Sequence, residues 1–299
     1  MPLQFSLPIP RDFSFRESLV FLNRSRDDVL HVVGADSVQK ILKVESTPVF
    51  CEIVSAETDL RITIHEVQRP APLQERVSGF IRIWFDLDRD LTGFYAMAAA
   101  DRVLRIPAQK YRGFRLIIIQ DLFEALSWAI IGQQINLAFA YTLYRRFIEA
   151  FGESHIFDGR KYWVFPAPVT VAATTPEHLV ALQMTRMKSR YLVGVARAIA
   201  AGGLSRAHLL AMEPQKAFEV LVGLKGVGPW TANYVMMRCL GCPTALPLED
   251  VGLHLAIKHF LNMSGKPSID QVRTLASGWS GWEAYATFYL YRAMIDLKK

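Results

Sequence analysis

The feature that most constrains this chain is a pair of glycines, Gly226 and Gly228, placed between two stretches of helical periodicity. A turn between two helices within so few residues needs backbone conformations that only glycine adopts at low cost. Such a turn leaves N–H groups pointing outward at the start of the second helix, where the helix dipole also favours an anion such as a DNA phosphate. Residues 217–240 are therefore predicted to form a helical hairpin that grips a phosphate backbone; the alternative is a hairpin that only packs.

The charge balance agrees with an anionic partner without requiring one. Lysine and arginine number 34 and aspartate and glutamate 28, which leaves a net charge of +6 on 299 residues. This balance favours nucleic acid as a partner and is equally compatible with an ordinary basic protein. Apolar residues make up 51% of the chain, as in globular proteins, but no apolar run reaches the ~18 residues of a membrane span.

Three cysteines, Cys51, Cys239 and Cys242, indicate a reducing compartment rather than a disulfide framework. Cys239 and Cys242 form a Cys-x-x-Cys pair, but one pair cannot close a four-ligand metal site, and Cys239 lies on an apolar helical stripe. The beginning of the chain lacks a basic segment followed by an apolar core. We therefore expect a soluble, intracellular protein without a membrane partner.

Local patterns divide the chain near residue 112. Ser14 and Glu17 have the spacing of a capping box, which predicts a helix beginning at Ser14. From Asp121 onward the pattern is almost wholly helical. The predicted fold class is α+β, with an antiparallel sheet and one or two helices in a domain of residues 1–112 and an all-α region of residues 113–299. Strands are predicted at 29–33, 37–44, 50–54 and 60–65.

The residues around the glycine turn carry a wider resemblance. Trp230-Thr-Ala-Asn-Tyr234 follows the turn directly, and a Leu246-Pro-Leu-Glu-Asp250 loop comes soon after it. With these motifs the chain resembles the helix-hairpin-helix DNA glycosylases, specifically the alkylated-base branch typified by bacterial 3-methyladenine DNA glycosylase II. The segment Gly132-Gln-Gln134 also resembles the loop with which that family approaches an extruded nucleotide. The resemblance implies a TATA-binding-protein-like α/β layer for the first domain.

The resemblance implies that Asp250 is the catalytic carboxylate. Glycosidic cleavage passes through an oxocarbenium-like sugar, whose positive charge a nearby carboxylate stabilises, and the same group can orient or deprotonate the attacking water. Aspartate is also a favoured N-cap, so a structural Asp250 is the alternative, and the two roles are compatible. Glu249 is the competing acid, and we expect it to be solvated or structural.

The resemblance also implies what this site lacks. Family members that cut the DNA strand carry a lysine at the position of Trp230, where it forms a Schiff base. Trp230 cannot do this and Lys225 lies on the other side of the turn, so a monofunctional hydrolase without lyase activity is predicted. Trp230, Tyr234 and Tyr291 correspond to the aromatic base pocket. Such rings attract purines made cationic by methylation, by ~0.5–2 kcal/mol per contact, although aromatic side chains more often serve the core.

The predicted DNA contacts are Gly226, Gly228, Lys225, Thr231, Gln133 and Gln134. Arg186, Lys188 and Arg190 open a helix, and they either contact phosphates or form a solvated basic face. Gln134 stands where the family has an apolar wedge, and it either fills the gap left by the extruded base or is only a polar helix-end residue. The backbone carbonyls of Val222, Leu224 and Val227 correspond to a monovalent-cation site of relatives. No other cofactor is expected, and three cysteines cannot hold the four-cysteine iron–sulfur cluster of some relatives.

Together these features predict a DNA glycosylase of base-excision repair. It would act as a monomer on damaged double-stranded DNA inside the cell, flip out an alkylated purine of the 3-methyladenine or 7-methylguanine type, and hydrolyse the N-glycosidic bond to leave an abasic site. Two alternatives stay open. One is the same fold acting on oxidised or deaminated bases, and the other is a non-catalytic DNA-binding module anchored by the hairpin.

Overall fold

The structure, a computed structural model, describes residues 2–44, 47–65 and 72–297. No helix in this part of the chain is both long and apolar enough to cross a bilayer. The strands are β1 (Leu3–Pro8), β2 (Val32–Val33), β3 (Ser37–Val44), β4 (Thr47–Ser55), β5 (Asp59–His65), β6 (Glu153–Phe157) and β7 (Arg160–Val164). The helices are α1 (Phe15–Leu22), α2 (Leu73–Trp84), α3 (Thr92–Ala100), α4 (Arg105–Lys110), α5 (Leu122–Gly132), α6 (Leu137–Phe151), α7 (Pro168–Ala172), α8 (Pro176–Val180), α9 (Arg186–Ala200), α10 (Arg206–Leu210), α11 (Pro214–Val222), α12 (Pro229–Arg238), α13 (Val251–Phe260), α14 (Ile269–Ala276) and α15 (Glu283–Asp296), with a 3-10 turn at Ser277–Trp279.

The first five strands form one antiparallel sheet in the order β1-β5-β4-β3-β2. The strand β3 has the predicted bounds, and β4 and β5 contain the strands predicted at 50–54 and 60–65. The strand predicted at 29–33 is reduced to Val32–Val33. The edge strand β1 has no counterpart among the predictions. Its residues are mostly exposed or half-buried, so its own composition does not mark it as a strand. It is a strand because it pairs with β5, in the register Leu3↔Ile64.

One face of the sheet packs on the helices. Leu60, Ile62 and Ile64 alternate along β5 and are completely buried. They belong to the same hydrophobic cluster as Val77 and Ile81 of α2. Because side chains alternate across a strand, this face holds the side chains that the sheet contributes to the main core.

The start of α1 ties the amino-terminal part to the rest of the chain. Ser14 is the predicted N-cap, and its hydroxyl accepts a hydrogen bond from Glu17 N at 3.3 Å. The Glu17 carboxylate does not complete a capping box, because it accepts a hydrogen bond from Arg292 Nε of α15 at 2.7 Å. Ser14 N donates instead to Gly113 O. Gly113 has φ +87°, and a Cβ on it would lie 2.3 Å from Asp12 O, so this contact requires glycine.

The region from residue 113 onward is helical except for the hairpin of β6 and β7, so the prediction of an all-α region needs this one correction. The hairpin covers the second face of the sheet. Phe157 stacks on Phe50 with ring centroids 4.0 Å apart, and Tyr162 donates a hydrogen bond to Gln39 Oε1 at 2.7 Å. The two strands form because they bury part of the sheet surface. This is a tertiary contact, and the local periodicity of the sequence does not predict it.

The sheet and the helical region share one hydrophobic core. The rings of Phe114 and Phe288 stack with centroids 4.9 Å apart, and the ring of Phe21 lies 4.5 Å from that of Phe288. Arg115, which is 1% exposed, donates to Asp12 Oδ1 at 2.9 Å. The contacts of Phe21 and Asp12 cross residue 112, and the domain boundary placed there stays a prediction.

A cavity of about 470 Å³ lies between the sheet and the helices, and Lys40 of β3, Glu124 of α5 and Tyr144 of α6 are among its walls. Burial raises the pKa of the Glu124 carboxyl from its ordinary value to about 7. Lys40 opposes this rise, and the neighbouring carboxylate of Asp121 adds to it. An acid in such a place costs folding free energy once it is charged.

We predict that Glu124→Gln stabilises the protein at alkaline pH. The folded pKa lies above the unfolded one, so the stability contribution of Glu124 is fully present below about pH 4.5 and is lost as the pH rises through 7. The variant should gain about 1–3 kcal/mol at pH 8 and little at pH 5. Urea unfolding at both pH values measures this. The exposed Glu57 supplies the matched control, because Glu57→Gln should change neither value. An equal effect at both pH values would contradict the prediction.

Candidate active site

The glycine turn joins α11 to α12 and is shaped by one close contact. The helix α11 ends at Val222, and α12 begins at Pro229 with Gly228 as its N-cap. Gly226 has φ +92°, and a Cβ on it would lie 2.2 Å from the ring of Tyr191 in α9. Glycine is therefore needed at position 226 for two reasons, the backbone conformation and the ring packed against it.

The start of α12 presents its amides outward. The first helical hydrogen bond runs from Ala232 N to Gly228 O at 2.9 Å, so the N–H groups of Trp230 and Thr231 precede it. Gly228 and Lys225 are exposed beside them. The positive end of the helix dipole and the lysine together make this surface suited to an anion.

The loop that follows α5 lies against this hairpin. Gln133 Nε2 donates to Gly226 O at 2.9 Å and to Thr231 Oγ1 at 3.0 Å. Thr231 is 2% exposed, so the side chains of Gln133 and Thr231 serve an internal contact rather than the DNA contact predicted for them. Gln134 is exposed and has φ +56°, in the left-handed region. The clamped loop therefore presents Gln134 at the surface beside the hairpin.

Asp250 is held by a hydrogen bond to each of its carboxylate oxygens. Oδ2 accepts from Trp230 Nε1 at 2.9 Å, and Oδ1 accepts from Leu253 N at 2.8 Å because Asp250 is the N-cap of α13. The capping alternative is thus present in the structure. Both oxygens keep a further lone pair, and the side chain is only half-buried, so capping does not prevent contact with a substrate.

Of the three aromatic residues predicted for the base pocket, Trp230 bonds to this carboxylate, Tyr291 lies near it, and Tyr234, 6% exposed, packs on Trp230. The rings of Trp230 and Tyr234 stack with centroids 5.6 Å apart. A Cβ on Gly252 would lie 3.0 Å from Asp250 Oδ1 and 3.5 Å from the ring of Tyr291, so Gly252 leaves room for both. Burial, followed by the negative charge of Asp250, raises the pKa of the Tyr291 hydroxyl well above its ordinary value.

Arg238 lies behind the aromatic residues and was not indicated by the sequence. It is 3% exposed, and it donates from Nη1 to the Tyr234 hydroxyl at 3.2 Å and from Nε to Ile117 O at 2.9 Å. Its guanidinium carbon lies 5.1 Å from the ring centroid of Phe288. Burial raises the pKa of Tyr234, and the arginine charge opposes this rise. Arg238 therefore fixes the Tyr234 ring from behind.

The loop before Asp250 is fixed by a histidine. His254 Nε2 lies 2.8 Å from Leu248 O, and His254 Nδ1 lies 3.0 Å from Pro267 O. Both ring nitrogens thus face carbonyl oxygens, which makes His254 a support of the loop. Glu249 is exposed, as expected for a solvated acid. Asp250 is the carboxylate that the fold positions.

The carbonyls predicted to bind a monovalent cation lie at the end of α11 and in the turn. Val222 is the last residue of that helix, whose dipole is negative there, and Leu224 O accepts a hydrogen bond from Val227 N at 3.0 Å. A carbonyl has a second lone pair, so cation binding is compatible with this geometry and stays a prediction.

Cys239 is buried, and burial raises the pKa of its thiol to about 12.

Tyr191 and Gly252 were not singled out from the sequence, and Lys188 was left as a possible surface residue. Tyr191 has no local signal, because its partner Gly226 is distant in sequence. The sequence does contain a signal for Gly252. A glycine in the first turn of a helix lowers helix stability, so its presence indicates a packing reason. Lys188 was considered for a basic surface. It is 8% exposed, and its Nζ donates to Ile131 O at 2.8 Å.

Two family models match adjoining parts of the chain. Residues 127–281, just over half of the chain, match the HhH-GPD superfamily base excision DNA repair protein. Residues 15–126 match the N-terminal domain of 8-oxoguanine DNA glycosylase. The residues that form the candidate site, apart from Tyr291, lie within the first of these matches.

Individual proteins resemble the chain over nearly its full length. A DNA-3-methyladenine glycosylase of Bacillus subtilis is 42% identical over 292 residues, which cover 96% of each chain. The structure of a 3-methyladenine DNA glycosylase from Archaeoglobus fulgidus is similar with a TM-score of 0.80, at 22% identity over 97% of both chains. The 8-oxoguanine glycosylase/lyase of Clostridium acetobutylicum, in complex with double-stranded DNA, gives a TM-score of 0.75 at 17% identity over 99% of both chains. At these identities the two structures establish a shared fold.

We predict that Gly226→Ala destabilises the protein by about 2–4 kcal/mol, because its methyl group meets the Tyr191 ring in a backbone conformation that alanine rarely adopts. Gly228→Ala is the matched control. A Cβ at position 228 meets nothing within 4 Å and the φ there is −87°, so this change should cost less than about 1 kcal/mol. Chemical denaturation of both variants measures the difference, and equal costs would contradict this account of the turn.

Proposed function

Because the chain belongs to the HhH-GPD superfamily of base excision DNA repair proteins, we propose that it is a monofunctional DNA glycosylase that releases alkylated purines from duplex DNA. The observation that carries the proposal is the position of Asp250. Its carboxylate is oriented by Trp230 and by the start of α13, and it lies among Trp230, Tyr234 and Tyr291. A fixed negative charge beside aromatic side chains is what supports the proposal.

The substrate class is supported by the chemistry of the site and by sequence similarity to a relative. Methylation at N3 or N7 leaves a purine positively charged while it is still attached to the sugar. Electron-rich ring faces such as those of Trp230 and Tyr234 attract a cation, and the Asp250 charge nearby does the same. The Bacillus subtilis relative named as a DNA-3-methyladenine glycosylase is similar over 96% of its length. We therefore assign alkylated purines as the substrates, with 3-methyladenine and 7-methylguanine as the test lesions.

In the proposed reaction, the bond between the sugar C1′ and the purine nitrogen breaks, and its electron pair goes to the base. The base leaves neutral because the pair cancels its positive charge, while the sugar acquires oxocarbenium character. Asp250 stabilises this charge through space and accepts a hydrogen bond from the water that attacks C1′. The water's proton passes to the carboxylate and then to solvent. The products are the free base and an abasic site.

The DNA is held by the surface beside this site. The amides at the start of α12 and the exposed Lys225 bind a backbone phosphate, which anchors the strand that carries the lesion. Gln134 occupies the gap that the extruded nucleotide leaves, where its amide can pair with the orphaned base. All of these groups belong to one chain, so we infer that a monomer acts on the duplex.

The proposed absence of strand cutting is supported by the side chain at position 230. A lyase needs an amine that attacks C1′, and the indole N–H of Trp230 is engaged by Asp250. Lys225 is exposed and precedes the turn in the chain, and Lys188 is buried with its amine bonded to Ile131 O. Among the described residues no lysine forms an ion pair with Asp250, so hydrolysis is the proposed outcome.

We predict that Asp250→Asn lowers the rate of base release from methylated duplex DNA by about 10²- to 10³-fold. Asparagine is an equally good N-cap, so α13 should still begin at the same place and DNA binding should be kept. Single-turnover release of 7-methylguanine and an electrophoretic binding assay measure the two properties. Glu249→Gln is the control and should release base at the wild-type rate. Wild-type activity of the Asp250 variant would remove this residue from the catalytic role.

We also predict that borohydride captures no covalent adduct between the protein and lesion-containing DNA, and that the abasic product stays uncut until alkali is added. Denaturing electrophoresis of a labelled strand detects both the adduct and the cut. A strand-cutting glycosylase assayed in parallel shows that the trap works. A trapped adduct that persists in Asp250→Asn would assign an amine nucleophile to the site.

A further inference from the structure

A buried lysine near the DNA-facing loops has no part in the reaction described above. Lys188 lies in the first turn of α9, and its amine reaches Ile131 O in the last turn of α5. Burial lowers the pKa of this amine. The only acceptor found for it among the described residues is that carbonyl, so its charge faces the negative end of the α5 dipole.

The same helix also holds the hairpin. Tyr191, one turn after Lys188, packs its ring against Gly226 so closely that a Cβ there would overlap it. Thus two neighbouring positions on α9 contact two different segments, the last turn of α5 and the turn between α11 and α12. A helix is rigid over one turn, so these contacts fix the separation of the two segments.

A third contact joins the loops directly. Gln133 donates one amide to both Gly226 O and Thr231 Oγ1, and this residue immediately precedes Gln134. Gln134 adopts a left-handed backbone conformation, which is uncommon for a residue other than glycine and must be held by its surroundings. Gln133, next to it in the chain, is bonded to the turn, and Lys188 is bonded to Ile131, three residues before it.

We propose that Lys188 and Gln133 are positioning residues that set the distance between the gap-filling Gln134 and the phosphate-binding turn, so that gripping the strand and filling the gap occur together. The proposal rests on the proposed function. Its physical basis is the cost of removing a base from the duplex stack, which is a few kcal/mol. A gap-filling side chain repays that cost only if it meets the gap while the phosphate is held at the hairpin.

The test compares two substrates that differ in how much opening they require. In one the 7-methylguanine is paired with cytosine, and in the other it faces an abasic-site analogue and makes no pair. Lys188→Met keeps the length of the side chain and removes its donor. We expect kcat/KM on the paired lesion to fall by about 10-fold or more and on the unpaired lesion by less than about 3-fold. A role in folding alone would lower both values equally.

Coupling to Gln134 supplies an independent readout. If Lys188 acts by placing Gln134, then Lys188→Met should cost less than about 2-fold in a Gln134→Ala background, because the side chain to be placed is gone. Gln133→Met should give the same selective loss and the same coupling, and it replaces Lys188→Met if that variant does not fold. Arg186→Met is the control. It removes an exposed charge from the same helix and should affect paired and unpaired lesions alike.

The outcomes separate this inference from the proposed function. If the wild-type protein releases no base from either substrate, the proposed function fails. If it releases base and Lys188→Met lowers both substrates equally, lowers neither, or adds its full loss to that of Gln134→Ala, the positioning role is overturned while the glycosylase assignment stands. A selective loss on the paired lesion that disappears without Gln134 supports the positioning role.

Discussion

The hydrogen bond from the Trp230 indole to Asp250 is the contact on which the site depends. It joins the start of α12, which carries the amides of the glycine turn, to the start of α13, which Asp250 caps. Two helix N-termini are thereby brought together. In the function we propose, one offers partial positive charge to a phosphate and the other directs a carboxylate at the sugar. Neither end alone would set the distance between the anchored strand and the catalytic group.

Much of the surrounding structure keeps this contact in place. Asn233 on α12 accepts a hydrogen bond from Leu246 N at 3.3 Å, and His254 on α13 bonds to Leu248 O, so both helices hold the loop between them. Arg238 fixes the Tyr234 ring from behind. A site whose groups are bonded before the substrate arrives needs little reorganisation during the reaction, which is the usual origin of electrostatic catalysis.

The same logic extends outward to the DNA-facing loops. The hairpin is packed on Tyr191, and the loop of Gln134 is tied to the hairpin through Gln133 and to α9 through Lys188. In the proposed function, substrate selection, strand anchoring and gap filling therefore fall to neighbouring segments that contact one another. The helix α15 contacts α1 of the amino-terminal part, through Phe288 on Phe21 and Arg292 on Glu17.

The sequence by itself determined what depends on local chemistry. The need for glycine at 226, the N-caps at Ser14 and Asp250, the strands β3 to β5 and the family motifs are all readable from adjacent residues, because turns, caps and strand alternation are short-range effects. Only the tertiary structure decided which of the side chains predicted to contact DNA make internal contacts. Thr231, Gln133 and Lys188 look like DNA contacts in the sequence, yet their partners are Gly226 and Ile131, far away along the chain. The strands β6 and β7 exist for the same reason, since the sheet face that they bury belongs to a distant segment.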